Sequence, residues 1–468
     1  MHIKRGAMAL TILFCLRVEM APAEEPEDSS RGISREMTGS NTDSAHDSGK
    51  DSPRSEDTHE SIQEAPANVY SYNERPCELK GPADVVRCAL GNDPSILQAR
   101  LEFRESQAAL DVADNVPNPR LEGNYMFGQR SAELQYRHII ELGDRRQLRT
   151  DAAQSSVRKA ALEWEITRQN TVLTTVMMLY RLEHIQEEQE YLEETIAAFN
   201  GAIYRLYRLP SRDANQNTSL FTYMMARDSL KQQKLELLDR RNRIRQSLEL
   251  STGRDLSDSD LRRIAAGHPE RWPDLPEEFQ NSLEMARADQ VVARATYEYR
   301  LESNRHWPDF SIGPRFTLQE QPAGGLFSGT ETQSNLGVSL SITLPLYNQY
   351  SAQKDQAKAR KKNSEIHRRV TRTSIEREYA YLVRSYRQHV QGLKSNPSMG
   401  SLEGRRYAVL GYMRRGLLSP ALLVEFHRSY GEHVHQYHAA QLRALGMLWR
   451  GYALSGRILE DEIINSIK

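Results

Sequence analysis

The sequence predicts a mainly α fold with a small β part, arranged as a duplicated helix–β-hairpin–helix repeat. Three observations predict it. Two pairs of short segments alternate apolar and polar residues with period two, the mark of strands with one apolar face. Long stretches free of Gly and Pro carry apolar residues at coiled-coil spacing. The order helix, hairpin, long helix, turn, long helix occurs twice along the chain.

Composition bounds the possibilities. The 468 residues are enough for two or three ordinary domains, and a net charge of −1 gives no basic imbalance to attract nucleic acid. Mean hydropathy is −0.68. No run approaches the roughly 18 apolar residues of a membrane helix, which excludes a bundle of spanning helices. It does not exclude a membrane β-barrel, whose short, half-apolar strands hardly move the average.

The N-terminus has the layout of an export signal over residues 1–23. His2, Lys4 and Arg5 precede the apolar core Ala7–Leu16, and Ala21–Ala23 supplies small residues for cleavage. Cys15 follows the large Phe14 and is discarded with the signal, since a lipoprotein site needs a small residue there. Residues 24–75 are acidic, Ser-rich and poor in bulky apolar side chains, the composition of a disordered arm. The mature chain keeps Cys77 and Cys88. An even count in an exported protein suggests a disulfide; two free thiols are the alternative.

The regular part divides into a first repeat over 76–260, a linker over 261–277, a second repeat over 278–460 and a C-terminal tail over 461–468. The first strand pair is Pro119–Arg130 and Glu133–Leu142; the second is Pro308–Gln319 and Asn335–Leu346. In the last strand Leu336, Val338, Leu340, Ile342 and Leu344 fall on one side, and Ser339, Ser341 and Thr343 on the other. Leu121, Tyr125 and Phe127 share a face, as do Phe310, Ile312, Phe316 and Leu318. His138 is a polar intruder on the apolar side of Leu134, Tyr136 and Ile140.

Helical segments flank the hairpins. Asp144–Asn200 is free of Gly and Pro, and Leu192, Ile196, Phe199, Ile203 and Leu206 step as a coiled-coil seam. Ser211–Thr252 is a second such stretch, with Leu230, Leu237 and Ile244 seven apart and Gly253 closing the helix. The second half repeats this with Asn348–Gln391, a break through Pro397, and a final helix from Pro420 to about Leu454. Ser419 fits its N-cap and Pro420 its first turn.

Four strands cannot close a barrel, since about eight is the smallest number with a filled interior. Either several chains pool their hairpins in lipid, or the strands pack on helices as an ordinary small sheet. Export and strand lengths near the roughly 9–11 residues that cross a bilayer favour pooling.

The layout resembles the TolC-like outer-membrane efflux proteins. The carriers are NPRLEG and WPDFSIG opening the outgoing strands, IIELGDRR and ITLPLYNQ where the returning strands pass into helices, and the tip YMRRGLLSPALLVEF over Tyr412–Phe426. The PLYN turn and the second tip most resemble the heavy-metal-cation branch. The resemblance covers roughly residues 93–459. It implies a homotrimer in the outer membrane of a Gram-negative bacterium, with a 12-stranded β-barrel in lipid above a periplasmic α-barrel. It implies a passive exit duct joined to a periplasmic adaptor (membrane fusion) protein and an inner-membrane pump. The strand row Leu336–Leu344 would then face outer-membrane lipid.

Carried over residue by residue, the adaptor-contacting turns fall at Leu209, Pro210 and Ser211 and at Gly416, Leu417, Leu418 and Ser419. Arg208 stands where the family has glycine, so the first turn would sit differently on its adaptor. The acidic ring at the periplasmic entrance would fall to Glu425, with Asp213 the second candidate.

The last helix also holds His427, His433, His435 and His438, of which His435 and His438 share a face. They read as solvated or interhelical histidines, and no metal ligand is assigned. No P-loop, nucleophile motif or HExxH is present, and neither enzyme chemistry nor a cofactor is expected. Two other readings stay open: a secreted periplasmic coiled-coil scaffold without a pore, and an outer-membrane duct for type I protein secretion.

Overall fold

The computed structural model describes residues 77–127, 130–269, 271–275, 282–322, 330–344, 347, 349–395, 399–415 and 418–467. The expected export signal and acidic arm lie outside the described residues. The chain begins with α1 (Pro82–Asn92) and α2 (Pro94–Asp114), followed by the hairpin β1 (Arg120–Met126) and β2 (Ser131–Ile140). Next come α3 (Arg145–Tyr207), α4 (Ala214–Thr252) and the short α5 (Asp258–Ile264). The second half holds α6 (Leu283–Ser303), β3 (Asp309–Pro322), β4 (Thr330–Thr343), α7 (Ser351–Ser395), α8 (Met399–Arg414), α9 (Pro420–Leu454) and α10 (Asp461–Asn465).

The four strands form one antiparallel sheet in the order β1-β2-β3-β4. Hairpins from the two repeats therefore meet through β2 and β3, with Leu134 opposite Phe316 and Ile140 opposite Phe310. Gly313 makes this pairing possible. A Cβ there would lie 1.8 Å from the Tyr136 carbonyl oxygen, so no side chain fits between the two backbones.

Both strand-to-helix corners use a left-handed residue. Asp144 (φ 56°) precedes α3 and Tyr350 (φ 57°) precedes α7. Their carbonyls accept the first helical bonds, from Leu148 and Lys354. The corners of the two repeats are also tied together. Arg145 Nη1 lies 2.5 Å from Asp309 Oδ1, and Asn304 donates to the Gly143 carbonyl at 2.9 Å.

α3 runs for 63 residues, about 95 Å at 1.5 Å per residue. The Gly-free stretch read from the sequence ends at Asn200, but the seam expected from Leu192 to Leu206 already crosses Gly201. The helix continues because Phe199, Ala202 and Ile203 are buried beside that glycine. Their packing outweighs the roughly 1 kcal/mol cost of glycine in a helix interior. α4 ends at Gly253 (φ 67°), and α9 begins with Ser419 as N-cap and Pro420 in its first turn. α8 occupies the stretch between the break at Pro397 and the second turn.

Three buried clusters position these helices among the described residues: one around Leu192, Leu237 and Val434, and two larger ones. The larger of these two joins α1, α3, α4, α5, α7, α9 and α10 around Leu179, Leu182, Leu248, Leu445 and Trp449. Each fully buried leucine contributes roughly 2–3 kcal/mol of transfer free energy. The stretch expected as a linker is packed here through Leu261, Ile264, Ala266 and Leu275. The expected C-terminal tail likewise forms α10, with Ile463, Ile464 and Ile467 buried. Cys77 and Cys88 are bonded to each other and fasten the start of the described chain to α1. The smaller core lies at the far ends of α3, α4, α8 and α9, around Phe199, Leu220, Leu410 and Leu423.

Candidate functional site

The sheet has two unlike faces. Leu336, Val338, Leu340 and Ile342 on β4 stand opposite Phe316, Pro314, Ile312 and Phe310 on β3. This apolar face continues through Leu134 and Tyr136 on β2 to Leu121 on β1. It is not covered by the chain: Leu336 is 80% exposed, Val338 76%, Leu340 59% and Leu344 61%. His138, opposite Ile312, is the polar intruder expected from the sequence.

The other face is polar and internally compensated. Arg137 pairs with Glu122 at 2.6 Å, and Arg315 with Glu133 at 2.8 Å. Gln135 donates to Ser339 Oγ at 2.5 Å, and Ser339 donates to the Gly313 carbonyl at 3.1 Å. These bonds cross all four strands. The outer strands β1 and β4 each have one neighbour, so the sheet ends in two open edges.

At the opposite end of α3 lies the first turn. Arg208 is right-handed (φ −80°), so the turn needs no glycine there. Leu209, Pro210 and Ser211 are exposed. Asp213 is committed locally: it caps α4, accepting from the Gln216 amide at 2.7 Å, while the Gln216 side chain accepts from the Asp213 amide. The sequence carried this signal, an Asp followed three residues later by Gln ahead of a helical stretch.

In the second turn, Gly416 and Leu417 lie outside the described residues. Leu418 packs against the smaller core, and Ser419 accepts from the Leu422 amide at 3.4 Å. Glu425 is exposed and held by Arg428 at 2.8 and 3.0 Å, with Ser429 donating at 3.3 Å. The hydrogen bond from Arg428 holds its carboxyl below the usual range. An acidic ring at this level would therefore be partly neutralised by each chain's own arginine.

Two features at this end were missed from sequence. Arg208, Arg212 and Arg415 lie over the rings of Tyr204, Tyr207 and Tyr412 at 4.7, 5.1 and 5.1 Å. Their close sequence spacing was a usable signal. Arg406 of α8 is buried and ion-paired to Glu194 of α3, a contact across 212 positions that no local pattern announces.

Solved structures of outer-membrane channels have this mainly helical fold with a small four-stranded sheet. Three solved structures share it. The CmeC outer membrane channel of Campylobacter jejuni matches with TM-score 0.63 and 13% identity, over 82% of this chain and 89% of that one. A membrane protein from Pseudomonas aeruginosa matches with TM-score 0.61 and 16% identity, over 79% and 89%. The open-state MtrE outer membrane channel of Neisseria gonorrhoeae matches with TM-score 0.59 and 16% identity, over 81% and 90%. In sequence, residues 275–386 match the outer membrane efflux protein family model. A comparison with curated protein sequences gave no match.

Proposed function

We propose that the chain is one subunit of a homotrimeric outer-membrane exit duct. The observation that carries this reading is the sheet, with its exposed apolar face and two open edges. Such a face is unsuited to water. In lipid, unpaired strand edges are excluded, so the sheet must close on other strands. Three copies supply twelve, and the compensated polar face then lines the lumen while Leu336, Val338, Leu340, Ile342 and Leu344 meet lipid.

The long helices extend into the periplasm, where the turns at Leu209–Ser211 and Gly416–Ser419 meet a periplasmic adaptor linked to an inner-membrane pump. Glu425 is the preferred gate residue, its charge tempered by Arg428, because Asp213 is engaged as a cap. The cargo is toxic small molecules or metal cations. The match to the efflux family model supports efflux, and the PLYN turn supports the cation branch.

Membrane fractionation followed by planar-bilayer recording tests this. The reading expects the protein in the outer membrane and discrete conductance steps from the purified complex. Soluble periplasmic monomer, or a purified complex with no conductance, would contradict it.

A further inference from the structure

His438 of α9 is 2% exposed and lies between two carboxylates of α3. Its Nε2 is 2.9 Å from Glu187 Oε2, and its Nδ1 is 3.1 Å from Glu188 Oε1. The Nδ1 contact has hydrogen-bond geometry, while Nε2 sits in close ion-pair range of Glu187 without an aligned hydrogen bond; an imidazole is favoured between two carboxylates when it carries its second proton. Its ring stacks on His184 of α3, with centroids 4.3 Å apart and planes within 2°. His184 is 6% exposed, and its Nδ1 is buried without a hydrogen-bond partner among the described residues.

We propose that this cluster is a proton-operated joint between α3 and α9. One proton, held on His438, ties the two helices together; losing it, or adding a second proton on His184, releases them. The inference is independent of the transport reading, since it concerns how the two repeats of one chain hold each other.

The surroundings fit a single bound proton. Burial by itself lowers the affinity of His438 for its proton, but the two carboxylates outweigh burial and carry it up to about 9. Burial and the neighbouring His438 cation push His184 down to about 4. Two stacked imidazolium rings at this separation would repel without intervening water. On α3, Glu183 is pushed up by burial and by Glu187, so it adds little negative charge of its own at acid pH.

Other elements face the cluster too. From α9, His435 approaches Glu188 at 3.6 Å, and the Tyr437 ring borders His438 at 6.5 Å. From α4, Arg240 and Arg243 line the same cavity of about 410 Å³, together with Arg181 of α3. His268, beyond α5, acts on His184 and Glu187 through its charge. Arg181, Arg240 and Arg243 oppose a second proton on the stack. The cavity also gives solvent protons a route to His184 and His438.

The sign follows from linkage. His438 is raised above the ordinary histidine value of about 6.5, so its contribution is full below that value and lost as pH rises through about 9. His184 is lowered, so the unfolded or parted state takes its proton first, and the joint weakens as pH falls from about 6.5 through about 4.

Histidine C2-hydrogen exchange by mass spectrometry, on the assembled full-length protein across pH, reads both imidazoles without any substitution. Backbone hydrogen exchange over residues 434–442, corrected for intrinsic rate, reads the joint. The expected result is His438 protonated and His184 neutral at neutral pH. Exchange over 434–442 should then be at least about tenfold faster on both the acid and alkaline sides, with residues 444–454 unchanged. His184→Gln should remove the acid-side opening, and Glu187→Gln with Glu188→Gln should lower the titration of His438. Both imidazoles titrating near the ordinary value, flat exchange over 434–442, or simultaneous opening of 444–454 would overturn the proposal. Should a substituted protein not assemble, the wild-type titration still decides.

Discussion

Leu340 on β4 stands opposite Ile312 on β3, while the next residue, Ser341, stands opposite Ser311 on the other face of the sheet. Adjacent positions thus face different surroundings. A lysine at Leu340 should impair assembly in the outer membrane, at a cost of roughly 2–4 kcal/mol near the bilayer midplane. A lysine at Ser341 should assemble normally. Comparing the unheated complexes of the two variants on gels checks this, and equal tolerance would count against a lipid-facing row.

Gly313 has no room for a side chain. An added Cβ would meet the Tyr136 carbonyl carbon at 2.7 Å as well as its oxygen at 1.8 Å, and neither is a flexible side-chain atom. Gly313→Ala should cost on the order of 3 kcal/mol or more and weaken the junction between the two hairpins. Gly337→Ala meets nothing within 4 Å and should be silent. The temperature at which the assembled protein dissociates gives the readout.

Arg406 binds α8 to its neighbours. Its guanidinium lies over the rings of Tyr191, Tyr407 and Tyr430 at 5.6, 5.1 and 5.9 Å while pairing with Glu194. Glu194 is half exposed and stays solvated without it. Arg406→Ala should therefore cost about 2–3 kcal/mol, mainly through lost stacking and packing. Arg406→Lys should recover less than half, because an ammonium lacks the planar stacking surface. Faster hydrogen exchange confined to residues 399–415 is the expected signature.

His427 makes the protein acid-sensitive near the turns. Burial, aided by the Arg406 charge, pushes it down to about 4. The parted or unfolded chain takes the proton nearer pH 6.5, so stability falls as pH drops between these values, by up to about 3 kcal/mol. The Tyr191 hydroxyl donates to the His427 backbone carbonyl at 2.8 Å, a bond that survives substitution of the ring. His427→Asn should flatten the dependence of the melting midpoint on pH over this range.

Features set by neighbours in sequence were legible. Period-two alternation located the strands, Gly253 marked the end of α4, and Ser419 with Pro420 marked the start of α9. Features set by distant packing were not. The sequence left His438 as either solvated or interhelical, because its partners Glu187 and Glu188 lie some 250 positions away, beyond any local pattern. Asp213 was weighed as a gate acid only through the family resemblance; its bond to Gln216 engages it as a cap.

Native mass spectrometry of the complex extracted from the outer membrane, without heating, tests the central claim most directly. The account predicts a single species of three mature chains that falls to one chain on boiling. A complex of one or two chains, with four or eight strands in place of twelve, would contradict it.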